Sequence, residues 1–149
     1  MQEGDLDDVM RIEKLCFKTP WKRIFFADDI RRPTSSLMVA QVDGKLVGYC
    51  VAWLVADEVH LANIAVDPDW QRQGIGDRML TCILTSCREA GCRDIYLEVR
   101  AGNIAALEFY RKYGFRHSFT RRGYYPDGED ALVMERELQG NGKASASPQ

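Results

Sequence analysis

A glycine-containing turn at Gln71-x-x-Gly74-x-Gly76 separates an apolar stretch from an amphipathic one. Such a turn can bind an anion, because the first N–H groups of a helix have no intrahelical partner and the helix dipole adds partial positive charge there. Glycine also lets the backbone approach a phosphate closely. No Gly-Lys-Ser/Thr follows, and the third glycine of the dinucleotide fingerprint is missing. By spacing alone, a phosphate-binding turn and an ordinary tight turn both stay open.

A carboxylate that could exchange a proton is Glu98, within the alternating segment Asp94–Arg100. Its neighbours Leu97 and Val99 are apolar, so the segment is typical of a half-buried strand. Burial would raise the pKa of this carboxyl towards the range of a useful general base. The alternative is a structural glutamate paired with Arg100. The residue types alone do not decide between these two interpretations.

Composition narrows the class of protein. With 46% apolar and 28% charged residues, the sequence predicts a globular protein without a membrane span. The net charge of −2 gives no reason to expect direct nucleic-acid binding. The five cysteines form no CxxC pair and no metal-ligand spacing with histidine, so no metal is predicted. We interpret them as small hydrophobic residues of a reducing, cytoplasmic compartment.

The hydrophobic periodicity predicts a mixed α/β chain with one domain over residues 1–139. The small, polar stretch 140–149 is predicted to be a disordered tail. Asp5 is a plausible N-cap of the first helix and Asn103 of the last. Predicted helices cover 5–17, 22–30, the stretch from the glycine turn to about 90, and 103–112, and predicted strands cover 37–42, 46–56, 57–68, 94–100, 115–125 and 128–139.

Two linked motifs resemble the GCN5-related N-acetyltransferase family. The segment NIAVDPDWQRQGIGDRML resembles the family's strand, turn and helix that bind the pyrophosphate of acetyl-CoA. LEVRAGNIAALEFYRKYGF resembles its later motif, in which an asparagine opens a helix that Tyr-x-x-x-Gly-Phe closes. The resemblance covers residues 5–139 and implies the family's fold. That fold is a central, mixed, mostly antiparallel twisted sheet of six to seven strands, flanked by about four helices and splayed between the fourth and fifth strands.

The family usually begins with a strand before the first helix, whereas this chain starts almost at that helix. The resemblance is strongest to the ribosomal-protein-alanine N-acetyltransferases within the family. It is carried by FKTPW, ADEVHLANIAVDPDWQRQGIG, LEVRAGNIAAL and RRGYYPDGEDALVME. It implies acetyl transfer from acetyl-CoA to the N-terminal alanine of a small-subunit ribosomal protein, and it suggests contact with tRNA-modification proteins. The alternatives are a broader peptide, lysine or small-amine acetyltransferase and a non-catalytic acyl-CoA-binding subunit.

The resemblance also implies roles for single residues. Glu98 would be the base, directly or through a water molecule, and Tyr110 the acid that protonates the CoA thiolate, although Tyr110 could simply pack. A pure binding subunit would need neither of these groups. The predicted contacts to acetyl-CoA are the strand backbone at Ile64, Ala65 and Val66, which includes an oxyanion hole, the turn residues Arg72, Gln73, Gly74, Ile75, Gly76 and Asp77, and Asn103.

The acceptor side is predicted from fewer residues. Glu58 and Asn63 are candidate contacts to the peptide terminus. His60 is interpreted as a strand histidine satisfied by a neighbour rather than as a catalytic group. Three aromatic residues could wall the peptide groove, or could belong to the core: Trp21, Tyr124 and Tyr125.

Overall fold

The computed structural model describes residues 1–139, so the predicted tail lies outside the described residues. Within them the chain forms four α-helices and six strands. The elements are α1 (Leu6–Cys16), α2 (Arg23–Arg31), β1 (Ser35–Val42), β2 (Lys45–Val55), β3 (Glu58–Val66), α3 (Ile75–Glu89), β4 (Asp94–Arg100), α4 (Ile104–Lys112), β5 (Arg116–Arg121) and β6 (Ala131–Glu137), with short 3₁₀ turns at Glu3–Asp5 and Pro68–Trp70.

The strand order in the sheet is β1-β2-β3-β4-β6-β5. The pairs β1–β2, β4–β6 and β5–β6 are antiparallel, whereas β3 and β4 are parallel. This confirms the predicted mixed, mostly antiparallel sheet. The β3–β4 register covers only Glu58–His60 against Asp94–Tyr96, and the sheet splays there. No strand precedes α1 within residues 1–139, so β3 and β4 take the places of the family's fourth and fifth strands.

Contacts along the chain divide it into two compact units. Unit 1 contains Met1–Val55 and Leu61–Thr85. Unit 2 contains Ala56–His60 and the described chain from Ser86 onward. A single domain over 1–139 stays a prediction.

Unit 1 has its core where α1 and α2 pack on the sheet. Apolar residues at three-to-four spacing give α1 one buried face, and each fully buried side chain contributes about 1.5–3 kcal/mol. Phe26 meets Tyr49 edge to face, with ring centroids 5.7 Å apart. The buried members of this core are Leu6, Val9, Ile12, Phe26, Leu46, Tyr49, Val51 and Ala65.

Asp5 precedes α1, but it makes no side-chain capping bond to that helix. Its carboxylate accepts a hydrogen bond from the backbone N–H of Gln2 at 2.7 Å. Asp5 is therefore at the predicted N-cap position, but the preceding 3₁₀ turn, and not α1, uses its carboxylate.

Unit 2 contains the alternating strand that the sequence predicted. Ile95, Leu97 and Val99 of β4 are buried, while the residues between them are partly exposed. Helix α4 begins after Asn103, whose Oδ1 accepts a hydrogen bond from the N–H of Ala106 at 3.2 Å. The predicted cap is confirmed, and it fixes the start of the helix that carries Tyr110.

Candidate active site

The glycine turn in unit 1 has the backbone of an anion-binding loop. Arg72 and Gly74 both have left-handed φ angles, of +62° and +83°. For a non-glycine residue this conformation costs about 1 kcal/mol, and such strain is concentrated at functional turns. The first α3 donor inside the helix is the N–H of Arg78, which reaches the carbonyl of Gly74 at 3.0 Å. The N–H groups before it lie in the first turn of a helix, which is where proteins bind anions.

Asp67, a residue that sequence reasoning missed, holds this turn in place. It is 1% exposed, and it accepts hydrogen bonds from the N–H of Asp69 and from Arg11 Nη2, both at 2.9 Å. Burial alone would raise the pKa of Asp67, but the Asp69 N–H and the Arg11 guanidinium lower it overall. The Asp-Pro pair, a common turn initiator, was the available signal.

The end of β3 is tied into unit 1 by side chains. The carbonyl of Val66 accepts hydrogen bonds from Gln71 Nε2 at 3.0 Å and from the Cys16 thiol at 3.3 Å. This fixes the last residue of the strand before the turn. Cofactor contacts by the backbone of Ile64, Ala65 and Val66 stay a prediction.

Glu98 in unit 2 contacts two basic side chains. His60 Nε2 donates to Glu98 Oε1 at 2.6 Å, and Arg121 Nε lies 3.5 Å from Oε2. The Glu98 side chain is 11% exposed and that of His60 is 15% exposed. The His60 ring also stacks on Tyr96, with centroids 4.6 Å apart and planes 5° from parallel. This is an oriented histidine–carboxylate pair on neighbouring strands.

The expected raised pKa of Glu98 is wrong. Burial does raise it, but the hydrogen bond and charge of His60, together with Arg121, bring the pKa below its ordinary value. The alternative partner of Glu98, Arg100, does not contact it among residues 1–139, because that guanidinium pairs with Asp127 and Glu129. The sequence could not show that His60 and Arg121 would lie beside Glu98.

This contact changes the chemical interpretation of His60. An ionised carboxylate only accepts hydrogen bonds, so Nε2 carries the hydrogen and Nδ1 is the acceptor of the neutral ring. Histidine is the side chain whose ordinary pKa lies nearest neutrality. His60 is satisfied by a neighbour, as the sequence suggested, and the same contact gives the pair a group able to take a proton.

Tyr110 lies on the inner face of α4 and is 8% exposed. Its ring packs against Phe109 at 5.3 Å and Phe115 at 5.6 Å between centroids. Aromatic packing fixes the ring and does not preclude chemistry by the phenol. Its role as an acid stays a prediction.

A tyrosine hairpin, residues 122–130 between β5 and β6, is joined to β4 through Arg100. The Arg100 guanidinium lies 4.0 Å from the centre of the Tyr125 ring, and its Nη1 lies 2.9 Å from a carboxylate oxygen of both Asp127 and Glu129. Tyr124 meets Tyr125 edge to face at 5.1 Å. Burial raises the pKa of Tyr125 to about 12. Arg100 is therefore a second residue that the sequence analysis did not assign to the site.

The other acceptor-side candidates have clear structural partners. Trp21 stacks on Trp53, with centroids 5.9 Å apart. Asn63 is 7% exposed and donates through Nδ2 to Glu13 Oε1 at 2.8 Å. Glu58 accepts from Arg93 Nη2 at 2.6 Å in a solvent-exposed pair. All of these contacts are made within the chain and none involves a peptide, so the acceptor-side roles stay predictions.

Residues 1–139 show neither a metal-binding cluster nor a membrane-spanning helix. They contain no cluster of three or more His, Cys, Asp or Glu side chains that could hold a metal ion. No helix in the same range has the length and apolar character needed to cross a membrane.

Comparison with known proteins defines the class. Residues 6–115 match the acetyltransferase (GNAT) family. The chain therefore belongs to that family and is an acetyltransferase, and acetyltransferases of this family use acetyl-CoA.

Single relatives show which members of the family the chain resembles in sequence and in structure. The chain is 37% identical over 137 residues to the Escherichia coli [ribosomal protein bS18]-alanine N-acetyltransferase, covering 90% of this chain and 92% of that one. The crystal structure of the Escherichia coli enzyme superposes with a TM-score of 0.88 at 35% identity, covering 96% and 94% of the two chains. Ard1 from Thermoplasma volcanium gives a TM-score of 0.90 at 30% identity, covering 94% and 95%.

Proposed function

We propose that this chain is an N-terminal protein acetyltransferase whose acceptor is the N-terminal alanine of a small-subunit ribosomal protein. The observation that carries the proposal is the 37% identity, over 90% of the chain, to an enzyme named for that reaction. Such an acceptor would be met in the cytoplasm. Contact with tRNA-modification proteins is a separate hypothesis that no structural feature described above addresses.

Acetyl-CoA would be the acyl-donor substrate. The glycine turn fits its pyrophosphate, because the left-handed Gly74 opens the backbone and α3 begins directly after it. We assign the diphosphate to the turn residues Arg72, Gln73, Gly74, Ile75, Gly76 and Asp77. A backbone N–H of Ile64, Ala65 or Val66 would stabilise the oxyanion, and Asn103 would supply a further cofactor contact.

The acceptor must lose a proton before or during attack. A peptide α-amino group titrates at about 7.7–8.0, so a weak base near neutral pH suffices. Glu98, oriented by His60, would accept that proton, directly or through water. The amine nitrogen forms the new amide bond, the carbon–sulfur bond breaks, and the Tyr110 phenol gives a proton to the departing thiolate. Glu98 suits this role because His60 and Arg121 hold its carboxylate in one orientation.

On the acceptor side, Trp21, Tyr124 and Tyr125 would wall the peptide groove. Two contacts support this role for the hairpin tyrosines. Arg100, on the same strand as Glu98, lies over the Tyr125 ring, and Tyr124 packs edge to face against Tyr125. Glu58 and Asn63 would contact the peptide terminus. Aromatic walls would keep water from the amine and strengthen the electrostatic interactions around it.

Purified protein with acetyl-CoA and hexapeptides tests the proposal through CoA release. The panel has peptides that begin with Ala, Ser or Met, and an N-terminally blocked peptide with an internal lysine. We expect the Ala peptide to give the highest kcat/KM. Preference for the lysine peptide would replace the N-terminal function with a lysine or small-amine one. Binding of acetyl-CoA without turnover of any peptide would favour the non-catalytic subunit.

A further inference from the structure

Glu13 of α1 is a buried carboxyl group that the proposed chemistry does not use. It is 1% exposed. Tyr49 OH and Asn63 Nδ2 both donate to Oε1, the latter at 2.8 Å, and the backbone N–H of Trp21 donates to Oε2 at 2.8 Å. All three partners are neutral donors, so the group is satisfied without an ion pair. It joins α1, β2, β3 and the loop before α2.

Glu13 determines which way the side-chain amide of Asn63 faces. A carboxylate accepts hydrogen bonds and cannot donate them, so the NH₂ group of Asn63 must point to Glu13. The amide oxygen, Oδ1, must then point the other way. The orientation of this amide therefore follows from its hydrogen-bond partner.

The outward oxygen of Asn63 has no hydrogen-bond donor among residues 1–139. Asn63 is nevertheless 7% exposed, and no fully buried side-chain nitrogen or oxygen in the described chain lacks a partner. Oδ1 must therefore reach solvent at the end of an otherwise buried side chain. A fixed acceptor of this kind is ready to bind a ligand that donates hydrogen bonds.

The surroundings favour a cationic donor. Burial, followed by the charges of Glu13 and Asp67, raises the pKa of the Cys16 thiol to about 11. The potential around Glu13 is negative because all of its hydrogen-bond partners in the described chain are neutral, and this disfavours a second anion there. A primary ammonium group carries three donors and a positive charge, which match both the oxygen and the potential.

We infer that Asn63 Oδ1 binds the α-ammonium group of the acceptor peptide and that Glu13 is the positioning residue that orients it. This inference rests on the proposed N-terminal acetylation and deepens it. The same carboxylate fixes the backbone of Trp21, so one buried group holds two acceptor-side candidates.

Binding without turnover tests the inference. The complex with CoA, which carries no acetyl group, is titrated with an Ala-starting hexapeptide and with its desamino counterpart, and the two Kd values are compared. Wild-type protein should prefer the amino peptide about tenfold or more, the effect of one hydrogen bond to a charged group. Asn63→Leu should bring this preference close to one, and Glu13→Gln should reduce it severalfold, because Gln places an NH₂ group among donors.

Tyr49→Phe is the matched control, because it removes another donor from Glu13 and leaves the amide of Asn63 in place. It should keep the wild-type preference. Asn63→Ala replaces Asn63→Leu if the larger side chain prevents folding, as judged by circular dichroism. An unchanged preference in the Asn63 variant would overturn the inference, and an unchanged preference in Glu13→Gln would remove Glu13 from it. Acetylation of peptides by wild-type protein tests the proposed function separately.

Discussion

Glu13 in unit 1 and Glu98 in unit 2 are two protected glutamates with opposite surroundings. Glu13 is held by a phenol, an amide and a backbone N–H, none of which changes charge near neutral pH. Glu98 is held by His60 and Arg121, and an imidazole is the side chain that most often gains or loses a proton in acid–base catalysis. A carboxylate among neutral donors fixes geometry, whereas a carboxylate against a histidine can take part in proton transfer. The partners, more than the burial, separate the two roles.

Replacing Glu98 should give the largest effect of any change in this comparison. Glu98→Gln removes the negative charge and the group that would take the proton, while the amide oxygen can still accept a hydrogen bond from His60 Nε2. General acid–base catalysis contributes about 10²–10⁴-fold, so kcat should fall by about 10² or more. Acetyl-CoA affinity, measured by titration calorimetry, should change little. A kcat within a factor of about two of wild type, with chemistry limiting turnover, would remove Glu98 from the mechanism.

The substitution of tyrosine by phenylalanine can be made at one buried tyrosine in each unit. Tyr110→Phe should lower kcat by about tenfold to 10²-fold with little change in acetyl-CoA binding, because only the proposed proton donor is lost. Tyr49→Phe should instead lower the free energy of unfolding by about 1 kcal/mol, since it removes one hydrogen bond to Glu13. Steady-state kinetics and chemical denaturation of both variants give the comparison. Equal kinetic defects in the two would mean that the loss of a buried hydroxyl group, and not of a specific proton donor, explains the effect at Tyr110.

Glu13→Gln should act on stability more than on the chemical step. The new NH₂ group must face at least one of three donors, so a buried polar contact is lost at a cost of about 1–3 kcal/mol. Thermal unfolding should show a lower Tm, and the pH dependence of kcat should keep its shape. If the acidic limb of the pH–kcat profile moved in this variant, Glu13 would influence proton transfer in the reaction. The difference drawn here between Glu13 and Glu98 would then be wrong.

Local patterns in the sequence predicted most of the fold. The three-to-four spacing in α1, the alternation in β4 and the Asn103 cap are properties of neighbouring residues, and each predicts its element directly. Asp5 takes the predicted N-cap position but makes no capping bond to α1, because its carboxylate accepts from a rival donor, the N–H of Gln2. Such competition between two local bonds is not visible in a residue pattern.

The candidate site was predictable in its motifs but not in its electrostatics. The glycine turn is continuous in sequence, whereas the partners of Glu98 come from β3 and β5, 38 and 23 residues away by number. Alternation showed that Glu98 would share a face with Arg100, but not that the hairpin acids would take that arginine. Long-range pairing therefore decided the sign of the pKa shift, which burial alone predicts in the wrong direction.

Replacing His60 gives the smallest and most specific test of the Glu98 environment. Burial raises the pKa of Glu98, and His60 is the largest influence that lowers it, so His60→Gln should move this pKa upward. A depressed carboxyl pKa stabilises the fold above the unfolded value, here 4.5, and that contribution disappears as pH falls through the folded pKa. The variant should thus be less stable than wild type above pH 4.5, the difference should shrink as pH falls towards 3, and the acidic limb of kcat/KM should move to higher pH. Denaturation at pH 3 to 7 and a pH–rate profile measure the two shifts. Arg31→Lys, at an exposed pair with Glu3, is the control for a change of a basic residue and should leave both profiles in place. An acidic limb unmoved in His60→Gln would show that this contact does not set the protonation of Glu98.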